Sequence, residues 1–462
     1  MKLLPLTLPL ALLLLCSVPS LARPGRRPPL RKPPTYKTEA EHIALVKSGK
    51  LPGYFNKADL SKPPVLSAPS ALLMEYDTGE VLYESAADTK RYPASTTKIL
   101  TGLLLAENTK PDDIVMCTDP AVLNVEPSSL HIKLKERFRA EQLLYGFLLR
   151  SANDGGVVIA DHVSGSVPAF AQKMNERAAQ IGATSSHFVN PHGLHDPDHY
   201  TTARDLALIA RIALQNPRFA DAVSIPRRTI SRSLNFKDLV VESKAKKSFY
   251  DVVPGADGVK TGFTNPARHC YVGSATRNGR RLLAVILAAP SSGVGDAVSL
   301  IEWGFARYSA KTVAVEGQRA AWVPTRLGAE GRVAAQASQT LHVTQDRLYP
   351  TKIETRVEVT ANTAPIQKGQ EVGVLVVLRG GKQIVRVPLQ ATQAIPRSMV
   401  RATSRSPWLW VTLAGGGGAT LLILRQRQLA QARRARARRR RRTMPPPMPE
   451  EQAAPTRNFT QP

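Results

Sequence analysis

The stretch Tyr92-Pro93-Ala94-Ser95-Thr96-Thr97-Lys98-Ile99-Leu100 determines how the middle of this 462-residue chain folds. Lys98 follows Ser95 by three positions and opens a largely apolar run over residues 99–106, which is typical of a buried helix near its start. Positions three apart lie on one face of a helix, so the Lys98 amine can reach the Ser95 hydroxyl. The stretch predicts a serine nucleophile with a lysine base, whose pKa burial and a second cation, Lys260, would lower. A helix-capping serine beside a solvated lysine is the alternative.

A second segment, Ser151-Ala152-Asn153, lies between two predicted helices, residues 140–150 and 154–162. A connection between helices can present both polar side chains to a cleft. We predict that Ser151 relays a proton to a leaving amine and that Asn153 holds the backbone amide of a substrate. An ordinary helix cap is the alternative, because Ser, Asn and Asp all favour that position.

A third segment, Lys260-Thr261-Gly262, lies in the first of three predicted strands, which are residues 258–264, 270–275 and 282–289. Strand alternation puts Lys260 and Gly262 on one face, where the missing side chain of the glycine would let an extended peptide lie against the strand. We predict that Lys260 and Thr261 bind a substrate carboxylate. The backbone N–H groups of Ser95 and Phe263 are the predicted oxyanion donors.

A competing Ser-x-x-Lys occurs at Ser243-Lys244-Ala245-Lys246. It lies in a lysine-rich, charged stretch that would be solvated and would not exclude water. Ser95, which precedes an apolar run, is therefore the predicted nucleophile.

In this order the three segments resemble the motifs of the serine D-alanyl-D-alanine carboxypeptidases, which are low-molecular-mass penicillin-binding proteins. The stretches that carry the resemblance are residues 70–84, 92–100, 143–155, 188–209 and 255–264. The resemblance implies an α/β (α+β) fold of the DD-peptidase/β-lactamase type, with an antiparallel sheet flanked by helices and an all-helical subdomain. It covers about residues 67–309, and a weaker resemblance over about 310–396 implies a small all-β sandwich domain.

The resemblance also implies an activity: removal of the terminal D-Ala from peptidoglycan pentapeptide stems through an acyl-serine, with covalent inactivation by penicillins. Ser95, Lys98 and Ser151 would be catalytic, Asn153, Lys260, Thr261 and Gly262 would bind substrate, and no cofactor or metal is expected. The sequence departs from the family pattern at residues 265–269 and 234–253, which affects the expected loop shape and substrate range.

Three alternatives remain. A D,D-endopeptidase would use the same acyl-serine. A β-lactamase would need a glutamate that holds a deacylating water, and no Glu-x-x-Leu-Asn-like segment lies between the second and third motifs. A catalytically silent protein that binds the cell wall is the third.

The composition along the chain indicates seven segments: a signal peptide (1–22), a Pro/Lys/Arg-rich leader (23–66), the catalytic domain (67–309), the β-sandwich domain (310–396), a linker (397–406), a transmembrane helix (407–424) and a basic, Pro-rich tail (425–462). The strands predicted for the β-sandwich are residues 312–315, 340–343, 353–359, 371–378 and 383–389. No catalytic constellation is found there, so a spacer between catalytic domain and membrane is expected.

Residues 407–424 are uncharged and about 18 residues long, close to the minimum for a spanning helix. The arginine-rich tail that follows predicts a cytoplasmic C-terminus and a catalytic domain outside the cytoplasm. The glycines at 415–418 leave an in-plane surface helix as the alternative.

The net charge of +27 raises the question of nucleic-acid binding. The excess is concentrated in the leader and the tail, where no aromatic residues interleave with the arginines for base stacking. A stop-transfer flank beside anionic lipid explains the tail, and we expect no nucleic-acid partner.

Two further groups of residues could suggest metals or disulfides. His192, His195, Asp196, Asp198 and His199 crowd one Pro/Gly-rich loop, for which internal hydrogen bonding is preferred over zinc binding. Cys117 and Cys270 are expected to be unpaired thiols, although a disulfide between them is possible.

Overall fold

The computed structural model describes residues 39–51, 53–232, 237–398, 425, 427–431 and 433. The predicted signal peptide, the first part of the leader and the predicted transmembrane segment 407–424 lie outside these residues. The chain divides into two compact units, Met1–Val313 with Leu341–Ile353, and Ala314–Thr340 with Glu354–Pro462. Across the described ranges, no helix combines the length and apolar character needed to cross a bilayer.

The elements follow one another with short connections. The helices are α1 (Glu39–Lys47), α2 (Lys98–Asn108), α3 (Ala140–Arg150), α4 (Asn153–Ser164), α5 (Val167–Ile181), α6 (Ala203–Ala213), α7 (Pro217–Ser224) and α8 (Val294–Arg307), with 3-10 turns at Ala94–Thr97 and Pro120–Asn124 and a π turn at Lys246–Tyr250. The strands are β1 (Ser70–Glu75), β2 (Val81–Ser85), β3 (Ile114–Met116), β4 (Arg137–Arg139), β5 (Arg227–Ile230), β6 (Leu239–Glu242), β7 (Ala256–Thr264), β8 (Arg268–Arg277), β9 (Arg280–Ala289), β10 (Tyr308–Ala314), β11 (Arg319–Pro324), β12 (Arg332–Ala337), β13 (Leu341–Asp346), β14 (Ile353–Val359), β15 (Glu371–Arg379) and β16 (Lys382–Ala391).

The first unit is built on a five-stranded sheet in the order β2-β1-β9-β8-β7, in which every neighbouring pair is antiparallel. Strand alternation sends Leu72 and Met74 into a core shared with helices α2 to α7, and Ala71 and Leu73 into a second core shared with α8. The prediction of an antiparallel sheet flanked by helices is confirmed. Because β7 is an edge strand, one side of its backbone is available for another chain.

The second unit contains a five-stranded sheet in the order β11-β12-β16-β15-β14. Its β character agrees with the sequence prediction, but strands β11 and β12 were not predicted. Both are rich in alanine and arginine, which carry little β preference, and their pairing with neighbouring strands outweighs that preference.

The strand predicted over residues 340–343 is found as β13, but it does not join the C-terminal sheet. It pairs with β10 and belongs to the first unit. Cys117 and Cys270 are both buried and unpaired, as expected from the sequence.

A buried carboxylate connects the segment before β1 to the first turn of α8. Asp296 is 1% exposed and accepts hydrogen bonds from the backbone N–H groups of Ser67 and Ala68 and from the Ser67 hydroxyl. These donors would be left unsatisfied without the carboxylate.

We predict that Asp296→Ala lowers the free energy of unfolding by about 2–3 kcal/mol, measured by urea denaturation. The exposed Asp112, which pairs with Arg139 at the surface, is the control, and Asp112→Ala should cost less than about 1 kcal/mol. Equal losses in the two variants would show that Asp296 does not stabilise this junction.

Candidate active site

Ser95 lies in a 3-10 turn, Ala94–Thr97, that runs directly into α2. Ala94 adopts a left-handed conformation with φ of 49°, which is unusual for a residue other than glycine. A Cβ on Gly193 would collide with the Ala94 carbonyl, so the loop that contains Gly193 presses on the turn from outside. The backbone around Ser95 is therefore held from two sides.

Lys98, the first residue of α2, is completely buried and has three oxygen partners. Its Nζ lies 3.0 Å from Ser95 Oγ, 2.7 Å from Asn153 Oδ1 and 2.6 Å from the carbonyl oxygen of His192. The helical spacing seen in the sequence thus brings the lysine to the serine. Asn153 meets Lys98 directly, a contact that the sequence did not indicate.

The surroundings of Lys98 lower its pKa well below the usual value for a lysine. Burial is the main cause, because it disfavours the charged form, and repulsion from Lys260 and Lys244 acts in the same direction. Attraction to Asp154 opposes them. Burial, followed by repulsion from Lys244, lowers the pKa of Lys260 to about 7.

The connection between α3 and α4 carries Ser151 and Asn153. Ser151 ends α3 in a left-handed conformation with φ of 60°, and Asn153 begins α4. The Asn153 backbone N–H donates to the Ser128 carbonyl at 2.6 Å, so this connection is joined to the loop around Ser128. A strained serine in this position is what a site that requires a particular side-chain direction would select.

Asp154 supports the same loop and was not recognised from the sequence. It is 1% exposed and accepts hydrogen bonds from Ser129 Oγ and from the backbone N–H groups of Leu130 and Ile132. The available signal was an acidic residue that directly follows the second motif and precedes buried glycines and valines.

Gly262 on β7 packs against the nucleophile turn. A Cβ at this position would lie 3.0 Å from the Pro93 carbonyl oxygen, 3.0 Å from the Ser95 nitrogen and 3.1 Å from the Thr96 nitrogen. The sequence analysis explained this glycine by the approach of a peptide; in the structure its missing side chain faces the backbone of the enzyme itself. The amide of Phe263, the next residue, is therefore close to the amide of Ser95.

A cleft of about 380 Å³ opens over these residues. Ser95, Ser151, Thr261 and Gly262 line it, while Lys98, Asn153 and Lys260 are buried. The other lining residues are Pro127, Ser128, Lys244, Ser248, Phe263, His269, Cys270, Ser292 and Val294. All the predicted site residues thus come together around one space.

Two residues at this cleft differ from expectation or were missed. Lys244 lies in the stretch that the sequence analysis treated as merely solvated, but it lines the cleft and its Nζ donates to Ser128 Oγ at 3.3 Å. Phe263 is 52% exposed, and its ring lies 4.6 Å from that of His269.

The histidine-rich loop supports the nucleophile turn through hydrogen bonds. The Val189 N–H donates to His199 Nδ1, so the proton of the neutral ring is on Nε2, which donates to Thr97 Oγ1 at 2.8 Å. Thr97 Oγ1 in turn donates to the Ala94 carbonyl. Burial is the main cause that lowers the pKa of His199 to about 4 and that of His192 to about 3. Within the described ranges, no group of three or more His, Cys, Asp or Glu side chains is arranged to hold a metal ion.

This arrangement can carry out nucleophilic acyl transfer. A hydroxyl is in hydrogen-bond contact with a base of lowered pKa, two backbone amides lie close together beside it, and cations surround the cleft.

Comparison with known proteins agrees with this geometry. Residues 57–291 match the family model of the D-alanyl-D-alanine carboxypeptidases (peptidase family S11), and residues 308–397 match the C-terminal domain of penicillin-binding protein 5. The D-alanyl-D-alanine carboxypeptidase DacF of Bacillus subtilis is 29% identical over 357 residues, which are 75% of this chain and 91% of the relative. DacA of Escherichia coli K12 is 29% identical over 350 residues, covering 72% and 85% of the two chains.

Solved structures give the same relationship. The crystal structure of penicillin-binding protein 5 from Haemophilus influenzae is 28% identical, with a TM-score of 0.58, and the match covers 73% of this chain and 99% of that one. The family model spans more than half of the sequence, and the motifs that carry the resemblance lie within it. The chain belongs to the D-alanyl-D-alanine carboxypeptidase family of serine peptidases.

Proposed function

We propose that this chain is a D-alanyl-D-alanine carboxypeptidase that removes the terminal D-Ala from peptidoglycan pentapeptide stems and is acylated by penicillin at Ser95. The 3.0 Å contact between Lys98 Nζ and Ser95 Oγ carries the proposal. An activated serine in a cleft that also contains cations suits an amide substrate with a free carboxylate.

The first step needs a neutral Lys98. A neutral amine has two N–H donors and one lone pair. The Asn153 and His192 oxygens can only accept hydrogen bonds, so they take the two donors and direct the lone pair at the Ser95 hydroxyl. The lysine removes the serine proton as Oγ attacks the substrate carbonyl.

The attack produces a tetrahedral intermediate, whose oxyanion accepts hydrogen bonds from the Ser95 and Phe263 amides in this proposal. Collapse breaks the C–N bond, and D-Ala leaves with the proton that Lys98 took up, delivered through Ser151. Water then attacks the acyl-serine ester, with Lys98 again accepting a proton, which restores Ser95 and releases the shortened peptide.

Substrate recognition is assigned to the three cations and the neighbouring polar groups. Lys260 and Thr261 bind the terminal carboxylate, Asn153 contacts the substrate amide, and Lys244 adds positive charge at the cleft. A terminal carboxylate among these cations favours carboxypeptidase action over cleavage of internal cross-links.

A β-lactamase would place a carboxylate near the ester to activate water. In the described part of the chain, the residues that line the cleft include no aspartate or glutamate. The penicillin adduct is accordingly expected to be long-lived.

The location of the enzyme also belongs to this proposal. Residues 1–22 direct secretion, residues 407–424 span the membrane, and the arginine-rich tail stays in the cytoplasm. The β domain at 310–396, for which we keep the sandwich arrangement, separates the catalytic domain from the membrane surface. The uncharged segment followed by a run of arginines supports this topology.

We predict that Ser95→Ala abolishes both D-Ala release and the penicillin adduct, because no other hydroxyl has the Lys98 contact. Intact-mass analysis after exposure to penicillin measures the adduct. Ser243→Ala, in the competing Ser-x-x-Lys, is the matched control and should retain both activities. An adduct on the Ser95→Ala variant would contradict the assignment.

The pH dependence should show opposite requirements for two lysines. Lys98 must be neutral, so kcat/KM rises from acid pH as Lys98 loses its proton. Lys260 must be charged, and its pKa of about 7 means that kcat/KM falls above pH 7 in proportion to the protonated fraction. Lys260→Arg, which stays charged, should remove the alkaline fall. The same fall in that variant would show that another group causes it.

The membrane topology is tested by washing membranes that carry the full-length chain with alkaline carbonate. A spanning segment resists extraction, whereas an in-plane helix is released. A chain that ends at residue 398 should appear in the soluble extracytoplasmic fraction and still form the penicillin adduct. Extraction of the full-length protein by the wash would contradict the spanning topology.

A further inference from the structure

A second cavity of about 330 Å³ lies in the catalytic unit and shares a structural wall with the active-site cleft. Its lining includes Lys90, Arg91, Tyr92, Tyr200, Pro266 and Ala267. Pro266 and Ala267 form the turn between β7 and β8, whereas Phe263, His269 and Cys270 on the same hairpin line the catalytic cleft. This turn is part of the segment, residues 265–269, at which the sequence departs from the family pattern.

The cavity is cationic and its charges are not neutralised. Among the described residues, neither Lys90 nor Arg91 forms a salt bridge with a carboxylate, and the buried Nε of Arg91 has no hydrogen-bond partner. The Lys90 ammonium lies 4.0 Å from the centre of the Tyr200 ring. An unpaired guanidinium beside an ammonium is a binding site for a carboxylate, because an anion would satisfy the buried donor.

The wall of the cavity is fixed to the nucleophile segment. Arg91 exchanges two backbone hydrogen bonds with Thr201, at 2.7 and 2.9 Å. Tyr92, three residues before Ser95, accepts a hydrogen bond from the Cys270 thiol through its carbonyl oxygen. The cations are therefore held at a set position relative to Ser95.

The direction of β7 connects the two cavities. A substrate whose terminal carboxylate is at Lys260 and whose scissile bond is at Ser95, beside Gly262, has its preceding residues further along β7, toward Thr264 and the turn. The strand rises about 3.3 Å per residue, so Lys260 to Thr264 spans roughly 13 Å, which an extended peptide covers in about four residues. A carboxylate two or three residues before the scissile bond would then reach the turn at Pro266.

We propose that this second cavity is a subsite for a carboxylate in the upstream part of the stem peptide, bound by Arg91 and Lys90. The inference rests on the proposed carboxypeptidase function, and it assigns the residues that distinguish a long acidic stem from a short acyl-D-Ala-D-Ala. The apolar faces of Tyr92, Tyr200 and Pro266 would cover the peptide around the carboxylate.

The test compares three substrates that end in D-Ala-D-Ala: a pentapeptide with a free upstream carboxylate, the same pentapeptide with that carboxylate amidated, and a diacetylated tripeptide. Arg91→Gln and Lys90→Gln should each lower kcat/KM for the acidic pentapeptide by about tenfold and leave the other two substrates unchanged. Arg91→Lys should recover part of the loss, and the exposed Lys57→Gln is the matched surface control.

Penicillin adduct formation and tripeptide hydrolysis separate this proposal from the proposed function. If both are absent in the unaltered protein, the carboxypeptidase assignment fails; if both are present but Arg91→Gln treats the acidic and amidated pentapeptides alike, only the subsite is refuted. Inorganic phosphate is the probe for an independent anion site. Inhibition confined to the acidic pentapeptide supports the subsite, and an effect on tripeptide hydrolysis would overturn it in favour of a separate anion effector.

Discussion

The site depends on one buried amine that is placed between three oxygen atoms. A charged lysine completely removed from water is unfavourable, and two neighbouring cations make the charged form of Lys98 more unfavourable still. The Asn153 amide oxygen and the His192 carbonyl are fixed acceptors, so they orient the amine whichever protonation state it adopts. The three oxygens come from a 3-10 turn, the start of α4 and the loop after α5. The fold is thus required to bring three separate segments to within hydrogen-bond distance of one atom.

Close backbone contacts hold this arrangement. Gly193 presses on the carbonyl before the nucleophile, and Gly262 packs on the nucleophile's own nitrogen. Between them, Ala94 is held in a left-handed conformation, as is Ser151 across the cleft. Such conformations persist only where surrounding contacts over-determine them, and here the His199–Thr97–Ala94 hydrogen bonds and the Asp154-supported loop provide those contacts. The strain and its compensation lie within the same unit.

Positive charge is distributed along the path that a substrate would follow. Lys260 and Lys244 are at the cleft, and Lys90 with Arg91 lies beyond the β7–β8 turn. Because the described cleft lining has no acidic side chain, these cations are free to lower one another's pKa and to attract an anionic ligand. The electrostatics therefore link two roles, activation of the base and selection of an acidic substrate.

Local patterns in the sequence were sufficient for much of the fold and for the composition of the site. Helical spacing located α3 and put Lys98 beside Ser95, and alternation located β7, β8 and β9, since both signals depend only on neighbours along the chain. Strands β11 and β12 could not be recognised, because their alanines and arginines become strand residues only through pairing. Asp154, the cleft position of Lys244, the true neighbour of Gly262 and the cavity around Arg91 were likewise decided by tertiary structure. Each depends on which distant segment packs opposite, and residue type and spacing carry no information about that.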